Sequence, residues 1–227
     1  MDSFYDDPKV VSDQILRGRY RDVIGGRWDE LGQLQLDFMV SAGLEPHHVL
    51  LDIGCGSLRG GVKFIPYLAP GNYWGVDKND ALLRVGYDLE LRRAGLTARQ
   101  PREQIVCLPD FEFDRLDAAC DYAIAQSLFT HLSHHGIRRC LTRVMDVMKP
   151  GARLYATFFE LEAGEDREEA KLHPDGVTVS YGDRSFYHYR VDDFRAAITG
   201  LPATLDRVGD WGHPRGQRMI AVTRVDG

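Results

Sequence analysis

The stretch from Leu50 to Gly61 reads LLDIGCGSLRGG, and the fold prediction depends on it. An apolar run ends in Asp52, and four glycines then follow within the eight positions from Gly54 to Gly61. Glycine lets the backbone turn sharply and lets a ligand approach it without interference from a Cβ atom. A helix that starts after such a turn points unpaired N–H groups at the ligand, which favours an anionic group. The stretch therefore predicts a buried strand, a ligand-binding turn and a helix.

Short apolar segments rich in strand-forming residues alternate with helical patterns along the chain. The predicted strands are 48–53, 72–77, 104–108, 121–126, 152–159, 204–211 and 217–225. The predicted helices between them cover about 58–68, 81–94 and 133–148, the last with Ser133 as its N-cap and a turn at 149–151 after it. Such alternation indicates a parallel sheet covered on both faces. We predict a Rossmann-like, doubly wound α/β fold, with a mostly parallel seven-stranded sheet whose last strand is antiparallel.

The N-terminal residues 1–45 read as a helical segment attached to a single domain that spans residues 1–227. The helical pattern covers residues 10–44, and Gly25-Gly26 followed by Trp28 indicates a hinge and an apolar plug. We expect this segment to act as a lid that closes over the site and excludes water. Three basic side chains could grip an anionic substrate or form a solvated face: Arg17, Arg19 and Arg21.

A second attached segment, residues 160–190, interrupts the alternation of strands and helices. It begins as a charged loop and continues as a polar stretch over 177–190, which we predict to be a hairpin laid over the sheet edge. We expect it to form a small cap that contacts the substrate. After it, Asp192 is placed to cap a helix that ends at Ile198.

Composition limits the partners of the chain. The formal net charge is −6, which argues against nucleic acid, and no apolar run approaches the roughly 20 residues that span a bilayer. The N-terminus lacks the apolar region of a signal peptide, so a cytoplasmic protein is expected. The cysteines form no CxxC pair and read as small buried hydrophobic residues, so neither disulfides nor a metal site is predicted: Cys55, Cys107, Cys120 and Cys140.

The glycine turn does not match two common nucleotide motifs. In the dinucleotide pattern GxGxxG counted from Gly54, the third glycine falls on Arg59, and no GK[ST] of a Walker A motif follows. A ligand with an amino-acid part, an adenosine and a positive charge fits better. Asp52 at the end of the first strand faces such a charge, and Asp77 at the end of the second can accept hydrogen bonds from ribose hydroxyls.

Five motifs in order resemble the class I S-adenosylmethionine-dependent methyltransferases, and the resemblance covers most of the chain. DIGCGSLRGG and GVD are similar to motifs I and II, Pro109-Asp110-Phe111 to the adenine-binding position, and DYAIAQSLFTHL (121–132) to motif IV. MKPGARLYATFF (148–159) resembles the turn and strand that follow. In addition, DWGHPRGQRM (210–219) is similar to the ending of bacterial small-molecule methyltransferases. The resemblance implies S-adenosylmethionine as cofactor.

For the methionine part of the cofactor, the resemblance implies that Gly54 and Gly56 shape the loop beneath it. It also implies that Asp52 orients the ammonium group. Arg59 is placed where it could pair with the cofactor carboxylate or, equally, with a helix end or a surface acid.

For the nucleoside part, the resemblance implies that Asp77 accepts from the ribose hydroxyls and Asp110 from the adenine amino group. Phe111 then lies alongside the adenine ring. Gln126 and Ser127, at the end of the fourth strand, are implied to lie near the sulfonium.

Three residues are candidates for a general base, which helps when the methyl acceptor is a hydroxyl. His131 follows the fourth strand and ranks first, although an imidazole there can also bond a neighbouring backbone group. His134 and His135 read as solvated residues of a first helical turn. His188 in the cap either lines the acceptor pocket or packs the hairpin, and Glu160 at the end of the fifth strand either faces the cleft or is solvated in a loop.

These observations predict methyl transfer from S-adenosylmethionine to a small molecule, with a hydroxyl of a saccharide or natural-product intermediate as acceptor. The reaction is an in-line displacement, which depends mainly on alignment. Two other functions remain open: an NAD(P)-dependent oxidoreductase, and a non-catalytic S-adenosylmethionine-binding module. The sequence leaves a monomer and a homodimer both open.

Overall fold

A computed structural model describes residues 7–226. The chain divides into two compact units with a boundary between residues 112 and 113, and each is described by itself. We call residues 7–112 the N-terminal unit and residues 113–226 the C-terminal unit. Within residues 7–226, no helix is both long and apolar enough to cross a membrane.

The N-terminal unit contains a parallel sheet in the order β3-β2-β1. Its strands are β1 (Leu50–Ile53), β2 (Tyr73–Asp77) and β3 (Ile105–Cys107). Its helices are α1 (Pro8–Leu16), α2 (Tyr20–Val23), α3 (Trp28–Ser41), α4 (Gly61–Tyr67) and α5 (Asp80–Val85). All four residues of β1 are buried, as expected for a strand covered on both faces. The ends of β1 and β2 carry the glycine loop and Asp77.

The C-terminal unit is built on β5, which pairs with β4 in parallel and with β10 in antiparallel orientation, while β10 also pairs with β9. Its longer strands are β4 (Cys120–Ala125), β5 (Met148–Glu160), β9 (Ala203–Asp210) and β10 (Arg218–Arg224). Its short strands are β6 (Lys171–Leu172), β7 (Val179–Ser180) and β8 (His188–Tyr189). Its helices are α6 (His134–Val144) and α7 (Val191–Ile198).

The fold class predicted from the sequence is confirmed. Seven strands of three or more residues lie within residues 7–226, alternating with helices. The pairs β1–β2, β2–β3 and β4–β5 are parallel, and the last strand is antiparallel to its neighbours. This is the mostly parallel, Rossmann-like α/β arrangement.

The helical pattern over residues 10–44 is divided into three helices rather than one. Gly18 has a φ of 69° and Gly25 and Gly26 have φ of 86° and 61°, so each break lies in the left-handed region that ends an α-helix. The predicted helix over 81–94 also differs, because α5 continues as a π-helix over Gly86–Leu91. A Cβ atom on Gly86 would lie 2.8 Å from the backbone carbon of Ser57, so this turn packs directly on the glycine loop.

Two predictions around α6 had different outcomes. Ser133 caps the helix as predicted, with its Oγ accepting the N–H of Gly136 at 3.3 Å. The prediction of a turn at residues 149–151 is wrong, because these residues belong to the start of β5. Met148 pairs with Cys120 and the register then shifts, so Pro150 falls at an irregularity, where its missing N–H is tolerated.

The cap segment, residues 160–190, is not the predicted hairpin over 177–190. β7 pairs with β6, which precedes the stretch, and β8 joins β5 in parallel at Phe159 and Glu160. The predicted cap at Asp192 is also wrong, because the cap residue is Arg190, two positions earlier. α7 starts after Arg190, whose backbone N–H donates to Asp193 at 2.7 Å, because a carboxylate reaches back to the helix start from the third helical position.

Gly61 provides a test of how tightly α4 packs on the sheet. A Cβ atom there would lie 2.9 Å from the hydroxyl of Tyr73 and 3.1 Å from the Cβ of Leu58. We therefore expect Gly61→Ala to lower the free energy of unfolding by about 1–3 kcal/mol, as overpacking does. Urea unfolding followed by circular dichroism measures this change.

The matched control is Gly136→Ala in α6, where the nearest neighbours are side-chain atoms of Leu132 at 3.3 Å or more. Because alanine favours a helix by about 1 kcal/mol over glycine, this variant should be at least as stable as the wild type. Equal losses in both variants would contradict the close packing of Gly61.

Candidate functional site

The glycine loop, residues 54–60, turns over the end of β2. The N–H groups of Gly54 and Cys55 both donate to the carbonyl of Val76, at 2.8 and 3.0 Å. Gly54 and Gly56 have φ of 77° and 55°, a conformation that a Cβ atom disfavours. These two glycines are therefore required by the turn itself.

Asp77 is the residue on which this loop rests. One carboxylate oxygen accepts the N–H of Gly56 at 2.9 Å, and the other accepts the N–H of Asn79 at 2.8 Å. The side chain is buried, with 5 % of the residue exposed. Each carboxylate oxygen can accept more than one hydrogen bond.

Asp52 is buried beneath the loop and accepts a hydrogen bond from the hydroxyl of Tyr73 at 2.7 Å. Burial raises the pKa of Asp52 to about 7, against the opposing effects of the Tyr73 hydrogen bond and the charge of Arg59, while the charge of Asp77 raises it further. A cation bound nearby would stabilise the ionised form. A Cβ atom on Gly60 would lie 3.2 Å from Asp52 Oδ2, so a larger residue at position 60 would crowd the carboxylate.

Arg59 has partners that the sequence does not reveal. Its Nη1 donates to the carbonyls of Ile24 and Gly26, at 3.0 and 2.9 Å, and the residue is buried. The guanidinium thus ties the turn between α2 and α3 to the glycine loop. Its predicted pairing with a cofactor carboxylate is untested and stays a prediction.

The N-terminal helices pack on α5 through Val11, Tyr20, Val23 and Leu82. The predicted lid starts at residue 1, and its residues 1–6 lie outside the described residues. Within the described part, two side chains make three hydrogen bonds to the buried carboxylate of Glu90. Arg21 donates to both oxygens at 2.8 Å, and the Tyr20 hydroxyl donates to one of them. The guanidinium of Arg21 is therefore bound to Glu90 within the same unit. Closure of the N-terminal segment as a lid stays a prediction.

The predicted adenine-binding pair follows β3. The N–H of Leu108 donates to the carbonyl of Asp77 at 2.9 Å, which holds this chain segment at the end of β2. Asp110 is exposed and Phe111 is half-buried with a φ of 58°. Their roles toward an adenine stay predictions.

One buried polar atom of the glycine loop lacks a partner. The Oγ of Ser57 is buried and makes no hydrogen bond within the described residues. A buried hydroxyl without a partner costs free energy, so such an atom fits a place where a polar ligand supplies the bond. Together with the carboxylates of Asp52 and Asp77, it fits a ligand with an ammonium group and ribose hydroxyls.

In the C-terminal unit a buried polar cluster lies at the end of β4. The N–H of Ser127 donates to Thr157 Oγ1 at 2.6 Å, and the Thr157 hydroxyl donates to Gln217 Oε1 at 2.7 Å. The Gln126 side-chain amide lies 2.6 Å from Ser127 Oγ and 3.2 Å from His213 Nε2. Sequence reasoning placed only Gln126 and Ser127 here.

The three residues that it missed come from β5 and the segment before β10. Thr157 pairs with Met219 in the antiparallel register of β5 and β10, which brings Gln217 and His213 to the end of β4. The only available signal was DWGHPRGQRM, which carried a resemblance but no residue roles.

The three base candidates have different surroundings. His131 is half-buried, with Nδ1 3.2 Å from Ser185 Oγ and the ring edge-on to Phe186. Glu160 is buried and accepts two hydrogen bonds from Arg207, both at 2.7 Å.

His188 is fully buried, and both of its ring nitrogens have partners in the cap. Nε2 lies 3.0 Å from the carbonyl of Arg167, which can only accept, so Nε2 carries the proton. Nδ1 then accepts from the hydroxyl of Ser180 at 3.0 Å. Both ring nitrogens are thus bound within the cap. The role of His188 as a base stays a prediction.

Two turns with the same sequence pattern, which we call the HPxG turns, join the cap to the segment before β10. They are 173–176 and 213–216, and in each the glycine N–H donates to the histidine carbonyl. Arg215 Nε lies 3.2 Å from Asp175 Oδ2, and a Cβ atom on Gly216 would lie 2.9 Å from Pro174. The turn that contains His213 is thus held by an ion pair and a close contact.

Solved structures of other proteins are similar to this fold. No family model matches the chain. A magnesium protoporphyrin IX methyltransferase (ChlM) from Synechocystis PCC 6803 with bound SAM has a TM-score of 0.64 at 16% identity, covering 96% of this chain and 97% of that chain.

Two further structures are similar. An O-methyltransferase family protein from Burkholderia thailandensis has a TM-score of 0.65 at 13% identity, covering 94% of this chain and 63% of that chain. The [4+2]-cyclase SpnF has a TM-score of 0.59 at 17% identity, covering 86% and 81%. The chain therefore has the fold that these three proteins share.

The hydrogen bonds and the ion pair of Asp175, in the first HPxG turn, predict a specific dependence of stability on pH. Burial alone would raise the pKa of Asp175, but hydrogen bonds from Thr178 and Val177 and the charge of Arg215 lower it to about 2. The unfolded chain therefore binds the proton first as the pH falls. We expect about 2 kcal/mol of stability, present above about pH 4, to be lost as the pH approaches 2.

The measurement compares urea unfolding of the wild type and Asp175→Asn between pH 2 and pH 6. The variant should be less stable at pH 6, and the difference should shrink toward zero at the acid end, because protonated aspartate resembles asparagine. A difference that stays constant over this range would contradict the assignment.

Proposed function

We propose that this chain is an S-adenosylmethionine-dependent methyltransferase. The observation that carries the proposal is the pair of hydrogen bonds on Asp77, which holds a bare glycine loop beside a carboxylate at the end of β2. A methyltransferase with bound SAM and the same enzyme with bound SAH share the fold over 96% of this chain, which supports the choice of cofactor.

The residues present fit the cofactor in its separate parts. Asp52 would face the ammonium group, Asp77 the ribose hydroxyls, and Asp110 with Phe111 the adenine. Because the sulfonium already activates the methyl group, the protein mainly has to align donor and acceptor and exclude water. Binding of the cation would favour the ionised form of Asp52, whose pKa burial raises to about 7.

The acceptor in this proposal is a small molecule with a hydroxyl group, such as a saccharide or a natural-product intermediate. The net charge of −6 argues against a nucleic-acid substrate. We propose His131 as the general base, because it is half-buried and its contact on Nδ1 is a serine hydroxyl, which can donate or accept.

A second candidate follows from one structural neighbour. SpnF is described as a [4+2]-cyclase, so this fold also supports a reaction other than methyl transfer. Under that alternative, or in a non-catalytic binding module, the chain binds the cofactor and no acceptor of a broad panel is methylated. An NAD(P)-dependent oxidoreductase would instead bind NAD, which the replacement of the third motif glycine by Arg59 disfavours.

The first test is calorimetric titration with S-adenosylhomocysteine and with NAD. We expect the wild type to bind the former and not the latter. Asp77→Ala should weaken binding roughly ten- to a hundredfold, the usual effect of losing a hydrogen bond to a charged acceptor. The control Asp88→Ala removes an exposed carboxylate and should leave affinity unchanged.

A 2′-deoxyribose analogue of S-adenosylhomocysteine separates ribose recognition from support of the loop. The wild type should bind this analogue more weakly than the parent compound, whereas Asp77→Ala should no longer distinguish the two. If the variant discriminates as strongly as the wild type, Asp77 does not contact the ribose.

A second test concerns His131. With any acceptor that the wild type methylates, His131→Ala should reduce turnover roughly a hundredfold or more, the usual contribution of a general base, while the affinity for S-adenosylhomocysteine stays within about twofold. Transfer of radioactive methyl from S-adenosylmethionine measures the rate. The control is His135→Ala on the exposed side of α6. Equal methyl-transfer rates in both variants would contradict the assignment of His131 as the base.

A further inference from the structure

Glu90 is a buried carboxylate of the N-terminal unit to which the proposed reaction assigns no role. It lies on the π-helix Gly86–Leu91, and only 4 % of the residue is exposed. A buried charge is costly unless it is paired and hydrogen-bonded. Within the described residues, the side-chain hydrogen bonds of Glu90 all come from α2, so this carboxylate attaches α2 to the π-helix.

The attachment is made by charged groups. Arg21 donates to both carboxylate oxygens at 2.8 Å, and the Tyr20 hydroxyl donates to Oε1. Burial alone would raise the pKa of Glu90, but the hydrogen bonds from Arg21 and Tyr20 hold it below its usual value, so the carboxylate is ionised near neutral pH. Two-pronged arginine–carboxylate pairs of this kind are strong and fix the direction of both side chains.

The same arginine also reaches the start of α3. The guanidinium carbon of Arg21 lies 4.3 Å from the ring centroid of Trp28, a cation–π contact. The turn between α2 and α3, residues 24–27, is therefore bounded on both sides by residues that Arg21 holds in place.

This turn carries the acceptors of the glycine loop. Arg59 Nη1 donates to the carbonyls of Ile24 and Gly26, at 3.0 and 2.9 Å. Since Ile24 directly follows α2, a displacement of α2 would move the carbonyl groups to which Arg59 is bound.

The π-helix also contacts the glycine loop directly. A Cβ atom on Gly86 would lie 2.8 Å from the backbone carbon of Ser57. The contacts therefore form a closed ring within the N-terminal unit, from the glycine loop to the turn 24–27, to α2, to the π-helix and back to the loop. Glu90 joins the two elements that hold the loop.

We propose that Glu90 is a positioning residue of the cofactor site, which fixes α2 to the π-helix and thereby holds Arg59 and the glycine loop in the shape that binds S-adenosylmethionine. This inference rests on the proposed function, in which the loop lies beneath the methionine part of the cofactor. Because coupling between two sites is reciprocal, a ligand bound on the loop must also hold α2 more firmly.

The first measurement is calorimetric titration of Glu90→Gln with S-adenosylhomocysteine. The substitution keeps the shape of the side chain and removes its charge. Affinity should fall about tenfold, a usual size for coupling between two sites. The matched control Asp88→Asn removes an exposed carboxylate from the same π-helix and should bind as the wild type.

Hydrogen exchange followed by mass spectrometry distinguishes positioning from a general loss of stability. In the wild type and in Asp88→Asn, S-adenosylhomocysteine should slow exchange of the amides of residues 20–26 by a factor similar to that lost in affinity. In Glu90→Gln saturated with the same ligand, residues 54–60 should still be protected, whereas residues 20–26 should exchange as they do without ligand. A variant that is only less stable would keep the protection of both segments.

Arg21→Met breaks the same contact from its half-exposed side, and so provides a second variant should Glu90→Gln fail to fold. It should weaken binding by a similar factor. The double variant Arg21→Met/Glu90→Gln should bind no more weakly than Glu90→Gln, because residues that act through one contact are not additive. Additive losses would contradict a shared contact.

The outcomes separate this inference from the proposed function. A wild type that does not bind S-adenosylhomocysteine overturns the proposed function, and the role of Glu90 with it. A wild type that binds overturns the inference alone if Glu90→Gln and Arg21→Met keep wild-type affinity. The same holds if the ligand leaves exchange in residues 20–26 of the wild type unchanged.

Discussion

The hydrogen bond from the Gly56 N–H to Asp77 is the interaction on which the N-terminal site depends. It joins the loop after β1 to the end of β2, and the second oxygen of the same carboxylate holds the N–H of Asn79 at the start of α5. A buried carboxylate is stable only when its oxygens are hydrogen-bonded. One side chain therefore sets the shape of the loop, and in the proposed function the same carboxylate also binds the ribose hydroxyls.

The four glycines of the opening stretch divide into two groups with different physical reasons. Gly54 and Gly56 adopt positive φ and allow the turn. Gly60 and Gly61 lie at the start of α4, where a Cβ atom would approach Gln35 and Asp52 or the hydroxyl of Tyr73. The density of glycine thus reflects both a bare loop and a helix packed closely on the sheet. Sequence alone could not separate these reasons, because both favour the same residue.

Sequence patterns predicted best where a segment is buried on both faces, as in β1, and where one residue caps a helix, as Ser133 does for α6. They were wrong where pairing between distant segments determines the structure. β8 joins β5 in place of the expected hairpin, and that partner is about 30 residues away along the chain. The proposed cofactor residues were inferred from motifs and stay predictions. His213 was missed because its position depends on the antiparallel register of β10 against β5, which no local pattern encodes.

The buried histidines of the C-terminal unit show how backbone partners can decide chemical roles. His188 donates from Nε2 to the carbonyl of Arg167, and His213 accepts at Nδ1 from the N–H of Arg215. Both partners are fixed in direction, so each neutral ring carries its hydrogen on Nε2. His131 instead contacts the hydroxyl of Ser185, which can rotate to donate or accept. A base must change its protonation during each turnover, and a hydroxyl can follow that change at His131, as the hydroxyl of Ser180 can at Nδ1 of His188. His131 is the half-buried ring of the two, whereas His188 is fully buried.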